Sequence, residues 1–344
     1  MTRLRFGILG PGAVATKAVG PALASSSHAE LTVVGSRAPE RAARYAERFG
    51  ARPVTGYAAV IDDPRVDAVY IALPNALHAE WILRAVDAGK HVLCEKPAVL
   101  TLAEAEAVVE AAARARVRVM EGYMFRFHPQ HALSRRLIND GTLGSVRHLS
   151  AAFGFPPLGP ENFRYQRVMG GGALYDAGGY PLAAARWLFG EEPCRLSAVL
   201  EQGGQSEVDE RGAIQLEFPS GRTAHAVFGF DYSYWNSYMV WGSTGRLVAE
   251  RAFSVPRDVA PSMRLISAEG TRDLPTQAED QFRAMIDAFC AAVQSGDSTG
   301  AFERELLAHA AVVDAAVRSA RTHESVELSQ ADAAGARGRT EPAP

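Results

Sequence analysis

The chain is poor in the residues that mark several protein classes. It has only 3 cysteines, Cys94, Cys194 and Cys290, in 344 residues. That number is odd and none are spaced as metal pairs, so a disulfide framework and a cysteine-held metal are both unexpected; each thiol reads as a small core residue in a reducing compartment. Excess charge is also missing. A formal net charge of -3 gives no electrostatic reason to expect nucleic acid or an anionic membrane as partner. No apolar run is long enough to span a bilayer. Residues 4–9 already read as a strand, which leaves no signal-peptide pattern, and the expected location is the cytoplasm. What remains is 47% apolar and 22% charged residues, a globular composition at a length that suits two domains.

The first third alternates short apolar runs with amphipathic stretches. Strands are predicted at 4–9, 31–35, 68–73, 91–94 and 117–121. Helices are predicted at 38–49, 78–88 and 101–116, with Pro39 near the start of the first, Gly50 and Gly89 past the ends of the first and second, and Thr101 with Glu104 as a capping pair for the third. This alternation predicts parallel strands with helices on both faces. After about residue 122 the period changes to two, with strands predicted at 146–155, 195–201, 212–218, 223–230, 238–241 and 245–249. Helices are predicted at 131–139, 173–189, 279–294 and 303–321. The expected fold is α/β: a doubly wound Rossmann sheet at 1–122, then an α+β domain at 123–329 built on a large, mostly antiparallel sheet. Residues 330–344 lack periodicity and are expected to be a disordered tail.

Gly10-Pro11-Gly12-Ala13-Val14-Ala15 follows the first strand and opens a helix. In this pattern Gly10 permits the tight turn, Gly12 lets backbone approach a pyrophosphate, and Ala15 allows close helix–strand packing. The second strand ends in Ser36-Arg37, with no acid before Glu40. An acid there would take a ribose 2′-OH, whereas a serine and an arginine suit a 2′-phosphate, so NADP(H) is expected rather than NAD(H). Tyr57, Leu73 and His78 are assigned to the cofactor as well; His78 either reaches a phosphate or ribose or simply starts a helix.

Glu95-Lys96-Pro97 stands at the carboxyl end of the fourth predicted strand of the first sheet. Reduction of a carbonyl builds negative charge on oxygen, and Lys96 is the candidate cation for it, orienting the nicotinamide ribose or the substrate oxygen; Glu95 and Lys96 are both assigned to the cofactor site as well. Glu95 is expected to orient the turn or the lysine, and Pro97 to fix the turn, with a cis bond favoured there. A second cluster, Gly170-Gly171-Gly172-Ala173-Leu174-Tyr175-Asp176-Ala177-Gly178-Gly179-Tyr180, puts Asp176 and Tyr180 four apart on one predicted helix. Tyrosine is a slow acid at an ordinary pKa of about 10. An ammonium such as that of Lys96 nearby would make it a usable donor.

The glycine turn, the Glu-Lys-Pro triplet and the glycine-rich Asp176–Tyr180 segment together resemble the glucose-fructose oxidoreductase / inositol dehydrogenase / MocA family, over residues 1 to about 325. The resemblance implies an open-faced C-terminal sheet and homodimers or homotetramers formed through it; Lys96, Asp176 and Tyr180 are the catalytic candidates, with Asp176 and Tyr180 also assigned to the substrate. Tyr180 stands where many members carry histidine, which weakens an inositol dehydrogenase reading. Tyr123-Met124-Phe125-Arg126-Phe127-His128-Pro129-Gln130-His131, Phe163-Arg164-Tyr165-Gln166 and Gly242-Ser243-Thr244-Gly245-Arg246-Leu247 are similar to nucleotide-diphospho-hexose C-3 ketoreductases of deoxysugar biosynthesis. That implies NADPH-dependent reduction of a dTDP-3,4-diketo-2,6-dideoxyhexose, with Arg164 near cofactor or substrate, Tyr238 near the sugar nucleotide and Lys17 meeting its diphosphate. Tyr232, Tyr234, Trp235, Tyr238 and Trp241 are read as a thymine-stacking group, as sheet packing or as a subunit interface. Two other functions stay open: an NADP-dependent dehydrogenase of free sugars or trans-dihydrodiols, and a dinucleotide-binding regulator without turnover.

The cofactor reading has a direct check. Arg37→Asp is expected to move the ratio of kcat/KM values for NADPH and NADH toward NADH.

Overall fold

The computed structural model describes residues 2–204, 206–297 and 299–328, so the expectation for 330–344 lies outside the described residues. Six strands, β1 (Leu4–Leu9), β2 (Ala29–Ser36), β3 (Arg52–Thr55), β4 (Ala68–Ile71), β5 (His91–Cys94) and β6 (Val119–Glu121), form one sheet in the order β3-β2-β1-β4-β5-β6. All five pairings are parallel. Parallel strands are covered on both faces, and the sequence shows it: Phe6, Ile8 and Leu9 of β1 and every residue of β4 are buried.

The helices of this unit are α1 (Gly20–Ser25), α2 (Pro39–Phe49), α3 (Ala58–Ile61), α4 (His78–Asp87) and α5 (Leu102–Ala115). The predicted start of α5 is present. Thr101 Oγ1 accepts from Glu104 N at 3.1 Å, and Glu104 reaches back to Leu100 N at 2.8 Å. The strand β3 was not read from the sequence: it contains Pro53 and carries no buried residue, so it lacks an apolar signal.

The second sheet has nine strands: β7 (Val146–Gly154), β8 (Arg195–Gln202), β9 (Asp209–Glu217), β10 (Thr223–Gly229), β11 (Trp235–Gly242), β12 (Gly245–Ala249), β13 (Met263–Ser267), β14 (Gly270–Asp273) and β15 (Val326–Glu327). Their order is β14-β13-β12-β11-β7-β10-β9-β8-β15, antiparallel except for the parallel pair β7–β10. The predicted period of two is real. Leu149, Ala151 and Phe153 of β7, Ile214 and Leu216 of β9, and Ala224, Ala226 and Phe228 of β10 are buried, while the residues between them are half-exposed. The remaining helices are α6 (Pro129–Asn139), α7 (Gly179–Phe189), α8 (Gln281–Gln294) and α9 (Ala301–Thr322). Among the described residues no helix is long and apolar enough to cross a membrane.

The chain divides into two compact units. Of the described residues, the first holds those up to Tyr123 together with Phe282–Leu307, and the second holds Met124–Gln281 and Ala308–Leu328. The sequence texture assigned all of 123–329 to a second domain, but 282–307 return to the first. Phe289 of α8 packs 6.0 Å from Phe6 of β1, and Ser26 donates to Asp287 at 2.5 Å. Arg118 Nη2 pairs with Glu303 Oε2 at 2.8 Å, both side chains under 10% exposed, while Glu303 Oε1 accepts from Val119 N at 2.7 Å. An amphipathic helix carries the same pattern whichever sheet it docks on, which is why periodicity could not assign it.

Removing one partner of a buried, hydrogen-bonded ion pair leaves an uncompensated charge and costs about 3–5 kcal/mol. Glu303→Ala is therefore expected to lower the unfolding free energy by an amount of that order, measured by urea titration with circular dichroism.

Candidate active site

The order of the first sheet reverses between β1 and β4, and ligands of such sheets lie outside the strand ends at that reversal. Gly10 sits there with φ +85°, and a Cβ on it would come within 2.6 Å of Leu73 Cδ2 and 2.9 Å of the Ala72 carbonyl. Only glycine fits the approach. Gly12 N then donates to Gly10 O at 2.8 Å, closing the turn ahead of the Ala15–Val19 helical segment.

At the end of β2, Ser36 is buried and its Oγ accepts from Ala38 N at 3.1 Å, which leaves its hydroxyl hydrogen to donate. Arg37 is exposed beside it. Beside the glycine turn lies a cavity of about 520 Å³ lined by Gly12, Ala13, Lys17, Arg41, Arg44 and Arg48, among others. Four cations and a helix start fit a multiply charged phosphate cofactor. The arginines at 41, 44 and 48 were missed by the sequence reading, although spacings of three and four on a predicted helix put them on one face. Lys17 was assigned to a substrate diphosphate; the structure places it with the arginines of α2 along this cavity.

Lys96 follows β5, and its peptide bond to Pro97 is cis. Glu95 accepts a hydrogen bond from the Tyr70 hydroxyl, and Ala98 N donates to Glu121 Oε1 at 2.9 Å, so the turn is held from β4 and β6. His78 is fully buried. Its Nδ1 lies 2.7 Å from the Pro97 carbonyl and its Nε2 lies 2.8 Å from the Leu73 carbonyl. Burial pushes the imidazole below its ordinary pKa, while the two carbonyls pull the other way. With both nitrogens facing backbone, the ring has none left for a cofactor phosphate or ribose, so that expectation is corrected: His78 joins the Leu73 and Pro97 segments. Tyr57, also assigned to the cofactor, is half-buried and packs edge-on against Trp81 at 5.2 Å between ring centroids.

In the second unit, Asp176 lies in a widened helical turn (Leu174–Gly178) that runs into α7. It is 7% exposed, and its Oδ2 accepts from Arg164 Nε at 2.7 Å. Arg164 was expected at cofactor or substrate; here its side chain engages the catalytic candidate itself, and its carbonyl accepts from Gly172 N at 2.9 Å. Tyr180 begins α7, and its ring is walled by Phe153, Phe253 and Phe125 at centroid distances of 5.1, 5.6 and 5.8 Å. Its hydroxyl lies 3.6 Å from Met124 Sδ.

Tyr238 does not belong with the other aromatic residues. It is 1% exposed, and its hydroxyl meets Ser134 Oγ at 2.6 Å and His131 Nδ1 at 3.1 Å. Burial drives its pKa up and pushes His131 down to about 3. The expectation of a sugar-nucleotide contact is replaced by a buried polar link between β11 and α6. Trp235 and Trp241 alternate with Tyr238 along β11 and stand on the opposite face, 62% and 55% exposed. One stacking cluster built from all of these residues is excluded by the strand's period of two.

Comparison with known proteins agrees with this architecture. Residues 4–123 match the model of the oxidoreductase family with NAD-binding Rossmann fold, and residues 131–248 match the GFO/IDH/MocA C-terminal domain. The chain is 38% identical to dTDP-3,4-didehydro-2,6-dideoxy-alpha-D-glucose 3-reductase of Actinomadura kijaniata over 92% of this chain and 96% of the relative. The crystal structure of that 3-ketoreductase with NADP and TDP-benzene superposes with a TM-score of 0.89, covering 92% of this chain and 98% of that one. Further structures of the same reductase carry a Tyr-to-Phe or a Lys-to-Ala substitution. Aldose-aldose oxidoreductase from Caulobacter crescentus, solved with glycerol, matches at 34% identity and a TM-score of 0.89, over 95% and 100% of the two chains. D-xylose 1-dehydrogenase (NADP(+)) 2 of Haloferax volcanii is 35% identical over 94% of this chain and all of its own. With both domain models matched in order and such relatives along nearly its whole length, the chain belongs to the GFO/IDH/MocA oxidoreductases.

Proposed function

We propose that the protein reduces the C-3 keto group of a dTDP-linked 3,4-diketo-2,6-dideoxyhexose with NADPH. The observation that carries this reading is the likeness to the Actinomadura kijaniata reductase along almost the entire chain. The lysine and tyrosine substituted in that relative lie the same number of positions apart as Lys96 and Tyr180.

The residues present suit NADP(H). Ser36 and Arg37, with Arg41 one turn into α2, offer a hydroxyl and two guanidinium groups to a 2′-phosphate, and the N–H groups after Gly12 face the pyrophosphate. Hydride for C-3 is what the reduced nicotinamide supplies when bound. Lys96 supplies positive charge to the oxygen that becomes negative. Tyr180 gives that oxygen its proton, or holds the water that does. Asp176 orients the substrate hydroxyls, with its own position set by Arg164. Substitution of a residue that stabilises developing charge or transfers a proton costs about 10²–10⁴-fold. Lys96→Ala is expected to lower kcat by that factor with little change in the dissociation constant of NADPH, followed by absorbance at the nicotinamide band. Tyr180→Phe is expected to fall by about 10². Full turnover in the lysine variant would remove Lys96 from the mechanism.

The xylose dehydrogenase and aldose oxidoreductase relatives favour a second reading, oxidation of a free aldose with NADP. Substrate profiling separates the two: efficient aldose oxidation together with silence toward the keto sugar nucleotide would select the second.

Exposed Val199, Trp235 and Trp241 on one face of the nine-stranded sheet support an assembly through that face. In this reading a second copy of the chain covers that face, and the proposed compartment is the cytoplasm. Sedimentation is expected to give a dimer or tetramer, shifted toward monomer by Trp241→Arg.

A further inference from the structure

The widened turn that carries Asp176 has no cap from its own neighbourhood. The residues before it are Gly170, Gly171, Gly172 and Ala173, and the N-cap residue Ala173 makes no side-chain bond. The first N–H groups of a helix need acceptors, and a buried start without them is costly. Here the acceptor comes from far along the chain. Asp209, the first residue of β9, accepts from Leu174 N through Oδ2 at 2.6 Å, the short distance of a charge-assisted bond. Burial raises the Asp209 carboxyl above its usual range, while the N–H groups of Leu174, Ala173 and Asp209 itself pull it back. Gly172 adopts φ +124°, and a Cβ there would come within 2.5 Å of Asp209 Oδ1. The carboxylate therefore occupies the space that any other residue at 172 would fill.

We propose that Asp209 is a positioning residue for the reaction: its carboxylate fixes the turn at Gly172–Leu174 and, through it, the side chain of Asp176. This rests on the role given to Asp176 above. The turn is braced from two sides. Arg164 takes the Asp176 carboxylate and the Gly172 N–H, and Asp209 takes the N–H groups that follow. Tyr180 is held differently. It belongs to α7, which is buried almost all round and packed into aromatic rings, so it does not need the cap to keep its place. Loss of Asp209 should thus release the turn and Asp176 while α7 stays. A shift of about 1 Å in a catalytic group can cost on the order of 10²-fold.

The test is a double-mutant cycle between Asp209→Ala and Asp176→Asn, measured on whichever of the two substrates of the preceding subsection the wild-type protein turns over. Asp209→Ala is expected to lower kcat at least tenfold, leave the NADPH dissociation constant within twofold, and add little to the loss already caused by Asp176→Asn. Asp209→Asn, which keeps one acceptor oxygen, is expected to recover part of the rate, and it decides the matter if the alanine variant does not fold. Turnover within twofold of wild type in the Asp209 variants overturns the proposal. So do losses that multiply in the double variant, or a rise in the NADPH dissociation constant that parallels the fall in kcat. If Asp176→Asn itself turns over normally, the role of Asp176 fails; if it is impaired and the Asp209 variants are not, only the role of Asp209 fails.

Discussion

The approach of two backbones at Gly10 is the constraint on which the first unit depends. β1 and β4 end side by side where the strand order reverses, and the chain leaving β1 must turn within contact distance of Ala72 and Leu73. A side chain at residue 10 would push these ends apart and, with them, the start of the helix that presents N–H groups to a pyrophosphate. The cations along α2 act on a site whose shape this contact has already set.

From Leu73 the constraint passes to the lysine turn. His78 is buried between the Leu73 and Pro97 carbonyls, so the segment after β4 and the turn after β5 are tied by one ring. Tyr70 of β4 and Glu121 of β6 hold the same turn from the strands on either side. Lys96 is thereby presented by a rigid support, and preorganised charge is the arrangement that stabilises a developing oxyanion most effectively. In the second unit the equivalent support is polar on one side and apolar on the other: Arg164 and Asp209 brace the turn of Asp176, and phenylalanine rings wall Tyr180. The two catalytic candidates of that unit are four residues apart yet are held by different forces.

Much of this was legible in the sequence because the signals are local. The glycine turn, the Ser36-Arg37 pair and the Glu-Lys-Pro triplet follow strands whose apolar runs are unmistakable, and the period of two announced the second sheet. Edge strands such as β3 and β14 escaped because they bury little. His78, Tyr238 and Lys17 were placed at ligands because their residue types suit ligands. In the structure His78 meets backbone carbonyls, Tyr238 meets a buried serine and histidine, and Lys17 lines a cavity with the arginines of α2, contacts that residue type alone does not show.

By itself, then, the sequence determined the fold class, the cofactor turn and the preference for a 2′-phosphate, and it singled out Lys96, Asp176 and Tyr180 as candidates, since each of these rests on residue type at short spacing. Tertiary structure alone decided that α8 returns to the first unit, that the ring of His78 is spent on backbone, and that the cap of the Asp176 turn arrives from β9, 35 residues beyond Leu174. Those features depend on which surfaces meet when the chain closes, and a buried polar atom chooses its partner by proximity and geometry after packing, not by position along the chain.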